Sequence, residues 1–268
     1  MIKLKRALQY VILTIVSVLS VFPILWMAVS ATNTSKDVIA GRMLPGTYLL
    51  ENFKNLKASQ NVGGAMLNSF KYSIILTLLS LLVCSLAGYG FEIFHDKAKD
   101  AVMSVILLAM MVPFAATMIP LFQMFSKAGW LNSTIGFIMP TISTPFLIMM
   151  FRQSARSFPH DIMEAARIDG LNETGIFFKM FFPTMKSTYA AAMTITFMNA
   201  WNSYLWPKVI MTDNNSITMP MLVANLKAGY MTDYGMLMLG VFLCSIPTVI
   251  IFFILQKSFA EGITGSVK

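Results

Sequence analysis

Residues 164–183 read EAARIDGLNETGIFFKMFFP, a polar, helix-prone stretch with two adjacent alanines, set between long runs that carry no charge. Ser157-Phe158-Pro159 ahead of it suits a helix start, because a proline at the first helical position loses only an amide proton that was unpaired anyway. Gly170 suits a helix end, since glycine enters the left-handed region at little cost. The expected helix therefore covers 159–169, and Asn172 is placed to cap a second helix that Pro183 ends. On the first helix Ile162, Ala165, Ala166 and Asp169 are expected on one face, with Glu164 and Arg167 beside it. Alanines leave room for another backbone to approach closely. The alternative is an amphipathic helix lying on the bilayer, although such helices carry larger apolar residues and more Lys or Arg.

The flanks decide the class. Of 268 residues 56% are hydrophobic and 12% charged, against roughly 25% charged in a soluble domain. Six windows of 18 or more residues lack Asp, Glu, Lys, Arg and His: 7–35, 72–91, 101–126, 128–151, 187–207 and 234–256. About 20 apolar residues at about 1.5 Å each cover the roughly 30 Å hydrocarbon core, and a helix pairs its own backbone amides. The expectation is an all-α polytopic membrane protein, a single transmembrane domain over 1–268, with spans at about 8–30, 70–91, 101–125, 132–151, 187–207 and 234–256.

Orientation follows from Lys and Arg. With the N-terminus inside, twelve fall on inner segments (Lys3, Lys5, Arg6, Lys97, Lys99, Arg152, Arg156, Arg167, Lys179, Lys186, Lys257, Lys268) and eight on outer ones. This predicts both ends inside, an inner loop at 152–186 and outer loops at 31–69 and 208–233. The charge-free run 7–31 exceeds the 7–15 residues of a signal-peptide core, so the first span is read as an uncleaved anchor. A short helix is expected around Leu49–Ala58, while FEIFHDKAKD and SKAGWLNS read as short turns. Pro113 and Pro120 interrupt the third span and Pro140 and Pro145 the fourth, which predicts bends there.

Several classes are disfavoured. The net charge of +8 is spread over both loop sets without an Arg-rich block or aromatic platform, so nucleic acid is not the expected partner. Cys84 and Cys244 lie within spans and read as packing residues; His95 and His160 stand in separate loops with no metal-ligand spacing. No ionisable group lies at bilayer depth, as an ion-coupled carrier usually has. No G-x-x-x-x-G-K-[ST] loop is present, so ATP, if used, binds on another chain. No catalytic residue and no cofactor of its own are assigned.

The spaced pattern Glu164, Ala165, Ala166, Gly170, Met180, Phe182 and Pro183 resembles the inner-loop signature of ABC importer permeases, with Met180 and Phe182 where Ile and Leu are commoner. MNAWNSYLWP at 198–207 is similar to the end of the fifth span in the carbohydrate-uptake branch of that family. The tail SFAEGITGSVK resembles that of the smaller membrane subunit of maltose-type systems. The resemblance implies the type I fold and a bacterial plasma or inner-membrane location. It implies a sugar or oligosaccharide cargo, a second homologous permease, two cytoplasmic ATPases binding ATP and Mg, and an outer solute-binding protein. It makes 159–169 the ATPase-coupling helix, with Ile162, Glu164, Ala165, Ala166, Arg167, Asp169 and Gly170 as its residues.

Asn199, Asn202 and Trp206, at helical spacing on the fifth span, could hydrogen-bond hydroxyls beside an aromatic face; the alternative is an interfacial aromatic belt. By the same resemblance Asp213, Asn214, Asn215 and Ser216 lie in the loop that meets the solute-binding protein, and tail residues 261–268 meet the ATPases. Two other readings stay open: a self-sufficient carrier or channel, and an ABC permease for a non-sugar solute.

Overall fold

A computed structural model describes residues 2–228 and 231–264, with side chains for 5–228 and 231–256. The described residues form helices and connecting turns, with no strand among them. In chain order the helices are α1 Ile2–Ser30, α2 Ser35–Ile39, α3 Leu49–Ser59, α4 Val62–Ile93, α5 Lys97–Ala109, α6 Phe114–Lys127, α7 Thr134–Ile138 and α8 Pro145–Ala155. They continue as α9 His160–Ile168, α10 Glu173–Ile176, α11 Phe182–Thr184, α12 Lys186–Trp201, α13 Leu205–Ile210, α14 Met219–Lys227 and α15 Tyr234–Thr264. The tail segment 261–268 expected to meet the ATPases lies outside the residues whose side chains are described, as do Gly229 and Tyr230 of the 208–233 loop.

Three of these helices are long and apolar enough to cross a membrane unaided: Lys5–Ser30 within α1, α4, and Tyr234–Gln256 within α15. Two more candidates are bent pairs. α5 and α6 meet at 98°, and Thr134–Thr141 meets α8 at 56°. Each of these two pairs is a broken helix, not merely a bowed one. The first break falls at Pro113, which caps α6 in an extended conformation; the second follows Pro140, and Pro145 opens α8 under a Thr144 side-chain cap. Pro120 lies inside α6 without interrupting it.

The fifth segment departs from expectation. A continuous helix was expected over 187–207, but α12 stops at Trp201, Asn202 forms its C-cap, and the chain restarts at Leu205. Its 16 residues span about 24 Å at the usual rise.

The chain divides into two compact units. The first comprises residues 1–66 and 219–247. Its organising side chain is buried Asn52 on α3, whose amide donates to the Ala31 and Asn33 carbonyls, each at 2.9 Å, tying α3 to the end of α1. Asn33 in turn donates to the Leu44 carbonyl at 3.0 Å. Gly235 fits against this knot, since a Cβ there would lie 2.5 Å from the Asn33 carbonyl oxygen. The turn after α1 is closed by Thr34, which caps α2 and donates its hydroxyl to Asp37 at 2.7 Å. That bond, more than any other interaction, holds the Asp37 carboxyl below its usual range.

The second unit, residues 67–218 and 248–268, contains a core built from α4, α8, α9, α12 and the segment between α9 and α12. Cys84, Phe151, Phe158, Ile176, Phe181 and Ala192 are its most enclosed members, with Phe177 beside them. At Gly88 the α4 and α8 backbones meet: an added Cβ would lie 2.6 Å from both the Arg152 amide nitrogen and Phe151 Cβ. Only glycine permits that approach.

Candidate functional site

Helix α9 is built as a short, rigid knob. Pro159 occupies its N-cap in an extended conformation (φ −64°, ψ 125°), so the proline stands one residue earlier than the sequence suggests. Asp161 in the first turn and Arg167 in the last complement the helix dipole. At the other end Gly170 adopts φ +81°. Its amide donates to the Arg167 carbonyl at 3.1 Å, and the Leu171 amide reaches the Ala166 carbonyl at 2.9 Å. This bond pair is the Schellman arrangement, which satisfies carbonyls left open at a helix end.

The next turn is equally fixed. Asn172 caps α10 by accepting from the Gly175 amide at 2.8 Å. Arg167 reaches back across Gly170 to Glu173 at 2.9 Å, and the Tyr89 hydroxyl of α4 donates to the same carboxylate at 3.4 Å. A π-helical turn at Phe177–Phe181 follows, and Pro183 sits within α11. Pro183 was expected to end the second helix. The change of direction instead comes at Met185 (φ −94°, ψ 24°), because Pro183 stands in the first turn of α11, where a missing amide is tolerated.

The faces of α9 differ in part from the expected ones. Ala166 points inward and is buried with Met163, 2% exposed, against the aromatic core of Phe158, Phe177 and Phe181. Ala165, Glu164, Asp169 and Ile162 remain on the exposed side with Arg167. Ile168, missed in the sequence reading, is 87% exposed at the helix end. One small residue thus faces solvent while the other lets the helix sit close to its own core. Met163 and Glu173 were also missed. The 163/166 spacing and the aromatic positions 158, 177 and 181 were the available signal for the buried face.

A second region of the same unit borders an open cavity of about 670 Å³. Asn199, Asn202 and Trp206 all line it, although they do not share one helix. Their availability differs. Trp206 is 3% exposed, and its indole N–H donates to the Gly136 carbonyl at 2.9 Å while its ring packs against Phe125. Asn202 donates to the Met198 carbonyl at 2.9 Å. Asn199 is exposed to the cavity with no hydrogen-bond partner among the described residues. Phe114, Phe146 and Tyr204 supply aromatic surface beside it, and no charged side chain lines the cavity.

The segment 211–218 is held by a residue that the sequence reading passed over as part of a short turn. Asn132, with φ +54°, accepts at Oδ1 from the Thr212 amide (2.7 Å), the Asp213 amide (2.9 Å) and the Ser216 hydroxyl (3.0 Å). Asn68 of α4 donates to the Asn215 and Ile217 carbonyls at 2.7 and 3.1 Å. Asp213, Asn214 and Asn215 stay exposed, whereas Ser216 is buried. An asparagine tolerating a left-handed turn ahead of a helix cap was the readable sign. Among the described residues no cluster of His, Cys, Asp or Glu could hold a metal ion.

Comparison with known proteins places this architecture. Residues 85–265 match the family described as binding-protein-dependent transport system inner membrane component. The lactose transport system permease protein LacG of Rhizobium radiobacter is 44% identical over 266 residues, covering 99% of this chain and 97% of the relative. The arabinooligosaccharides transport system permease protein AraQ of Bacillus subtilis is 32% identical over 258 residues, covering 94% and 92%. The fold resembles a chain of a bacterial ABC transporter involved in import of the acidic polysaccharide alginate, with TM-score 0.82 over 96% of this chain and 97% of that one at 20% identity. The chain belongs to the family of binding-protein-dependent transport system inner membrane components. It is a multi-pass, non-catalytic permease subunit of an ABC importer, and ATP hydrolysis belongs to partner subunits.

Proposed function

We propose that this chain forms one half of a heterodimeric pathway for a sugar or oligosaccharide, crossing the membrane six times with both ends in the cytoplasm. Helix α9 is its contact with one of two cytoplasmic ATPases, whose closure around ATP and Mg moves the bundle between inward- and outward-facing states. The observation that carries the coupling role is the construction of α9: an exposed Ile162, Ala165 and Asp169 surface on a knob fixed by the Gly170 turn and backed by a buried aromatic core. Such a projection transmits a push instead of folding under it.

The carbohydrate cargo is supported by the lactose and arabinooligosaccharide systems of the relatives. A relative in a sn-glycerol-3-phosphate system, 30% identical, raises a phosphate ester as the competing cargo. The cavity favours the neutral solute, because Asn199 and aromatic surface suit hydroxyls and sugar faces, while no Lys or Arg is present to meet a phosphate. Within this reading Asn199 is the principal solute contact, Asn202 shapes the wall and Trp206 supports it. The exposed Asp213, Asn214 and Asn215, with Ser216 anchoring them, form the contact with the solute-binding protein.

The test is reconstitution of the purified complex in vesicles. Uptake of a neutral oligosaccharide should require ATP on the α9 side and the binding protein on the other. Glu164→Ala should leave the chain inserted but weaken retention of the ATPase or uncouple it. Uptake by this chain alone, or full uptake and solute-stimulated hydrolysis in Glu164→Ala, would refute the assignment.

A further inference from the structure

One cluster of charges takes no part in α9 or in the cavity. Arg152, in the last turn of α8, has only 5% of its side chain exposed. Its Nε donates to Glu92 Oε2 at 3.1 Å and its Nη2 to Asp100 Oδ1 at 2.6 Å. Arg156 donates to both Glu92 oxygens at 3.2 Å. His95 Nε2 lies 2.8 Å from the other Asp100 oxygen. The end of α4, the first turn of α5 and the end of α8 therefore converge on a single enclosed guanidinium.

Removing a cation from water is costly, so such pairs add little net stability, whereas losing one partner strands the other. What the guanidinium does provide is fixed geometry, because its planar fork holds two carboxylates at set angles. The same end of α8 is pinned in two further ways. Its backbone meets α4 at Gly88 without an intervening side chain, and Ser154 hydrogen-bonds Thr188 of α12 at 2.9 Å. On the other side Phe151, adjacent to Arg152, shares a core with Met163 and Ala166 of α9. Apolar packing thus joins α9 to α8, and Arg152 joins α8 to α4 and α5.

We infer that Arg152 is a positioning residue of the transport cycle, a charged joint that makes α4, α5 and α8 follow α9 as one piece. This rests on the reading of α9 as the ATPase contact. It adds that the stroke enters the broken α5–α6 helix through the Arg152–Asp100 bond.

The experiment measures solute delivered per ATP hydrolysed in the full reconstituted complex. A folding defect removes whole complexes and lowers both rates together, leaving the ratio intact; a failed joint lowers the ratio. Arg152→Gln should reduce it by about tenfold, the size of a typical coupling between sites. Asp100→Asn, a milder change at a half-exposed carboxylate, should reduce it in the same direction and keeps the test alive if Arg152→Gln does not assemble. Arg152→Lys, which keeps the charge but not the fork, should restore less than half of the lost ratio. An unchanged ratio in Asp100→Asn and in every Arg152 variant that assembles would overturn the inference. A Glu164→Ala complex run in parallel separates the two claims: if α9 is not the ATPase contact, that complex is also normal, whereas a defect there beside normal Arg152 and Asp100 variants sinks the joint alone.

Discussion

The Arg167 guanidinium lies 2.9 Å from the Glu173 carboxylate across the turn at Gly170. The pair is half-exposed and by itself adds little net stability. Its significance is directional, because it closes a loop whose other side is the left-handed glycine. Backbone and side chain both specify the same exit from α9.

Gly170→Ala should therefore weaken ATPase attachment without hindering membrane insertion. A Cβ at Gly170 meets nothing within 4 Å, so the cost is backbone strain alone, about 1–2 kcal/mol, or on the order of tenfold in affinity if it falls wholly on the bound state. Gly170→Asn should lose less, since asparagine tolerates this region. Co-purification of the ATPase at graded concentrations checks both, and equal binding by the parent chain and the two variants would remove the turn from the argument.

Asn132→Ala should loosen the 212–216 segment, deleting three bonds accepted by one oxygen at about 1 kcal/mol each. The expected result is faster proteolytic cleavage within 212–216 and a higher binding-protein concentration for half-maximal uptake, with ATPase attachment unaltered. Excising 213–219 should show the same pattern more severely.

The cavity separates two kinds of residue. Asn199→Ala should raise the solute concentration needed for half-maximal uptake by about fivefold, the loss of one hydrogen bond worth about 1 kcal/mol. Trp206→Phe instead strands the Gly136 carbonyl and should lower the thermal stability of the purified complex, with little change in solute selectivity. A selectivity change in the second variant would reverse their roles.

Acid should release the Thr34–Asp37 turn. Its carboxyl titrates below the ordinary aspartate value of 3.8, mainly because the Thr34 hydroxyl donates to the ionised form. A depressed folded value means the stabilisation is complete above 3.8 and lost as pH falls through the lower folded value. Amide exchange at 37–42, corrected for intrinsic rate, should thus stay slow down to about pH 4 and accelerate below it; acceleration between about pH 6 and 5 would contradict the assignment.

Much of this was legible from residue order. The apolar windows located α1, α4 and α15, and Gly170 with Asn172 gave the turn after α9 through local stereochemistry that needs no tertiary context. Ala166 was misassigned because helical spacing defines faces but not which of them meets the core, and that depended on Phe158, Phe177 and Phe181. The continuous fifth span was wrong because an apolar run does not reveal a break at Ser203 and Tyr204, where no proline or glycine marks it. Asn132 and Arg152 escaped notice because their partners lie far along the chain, at 212–216 and at 92 and 100.

The five-residue π-helical turn at Phe177–Phe181 also sets the azimuth of everything downstream. One residue corresponds to about 100° of helical rotation and the wide turn absorbs one extra, so a substitution that tightened it to ordinary pitch at unchanged chain length would swing α12 around its axis. Asn199 would then look away from the void it now borders, though every side chain upstream kept its place. The width of this short turn acts as a phase setting between α9 and the cavity beside Asn199.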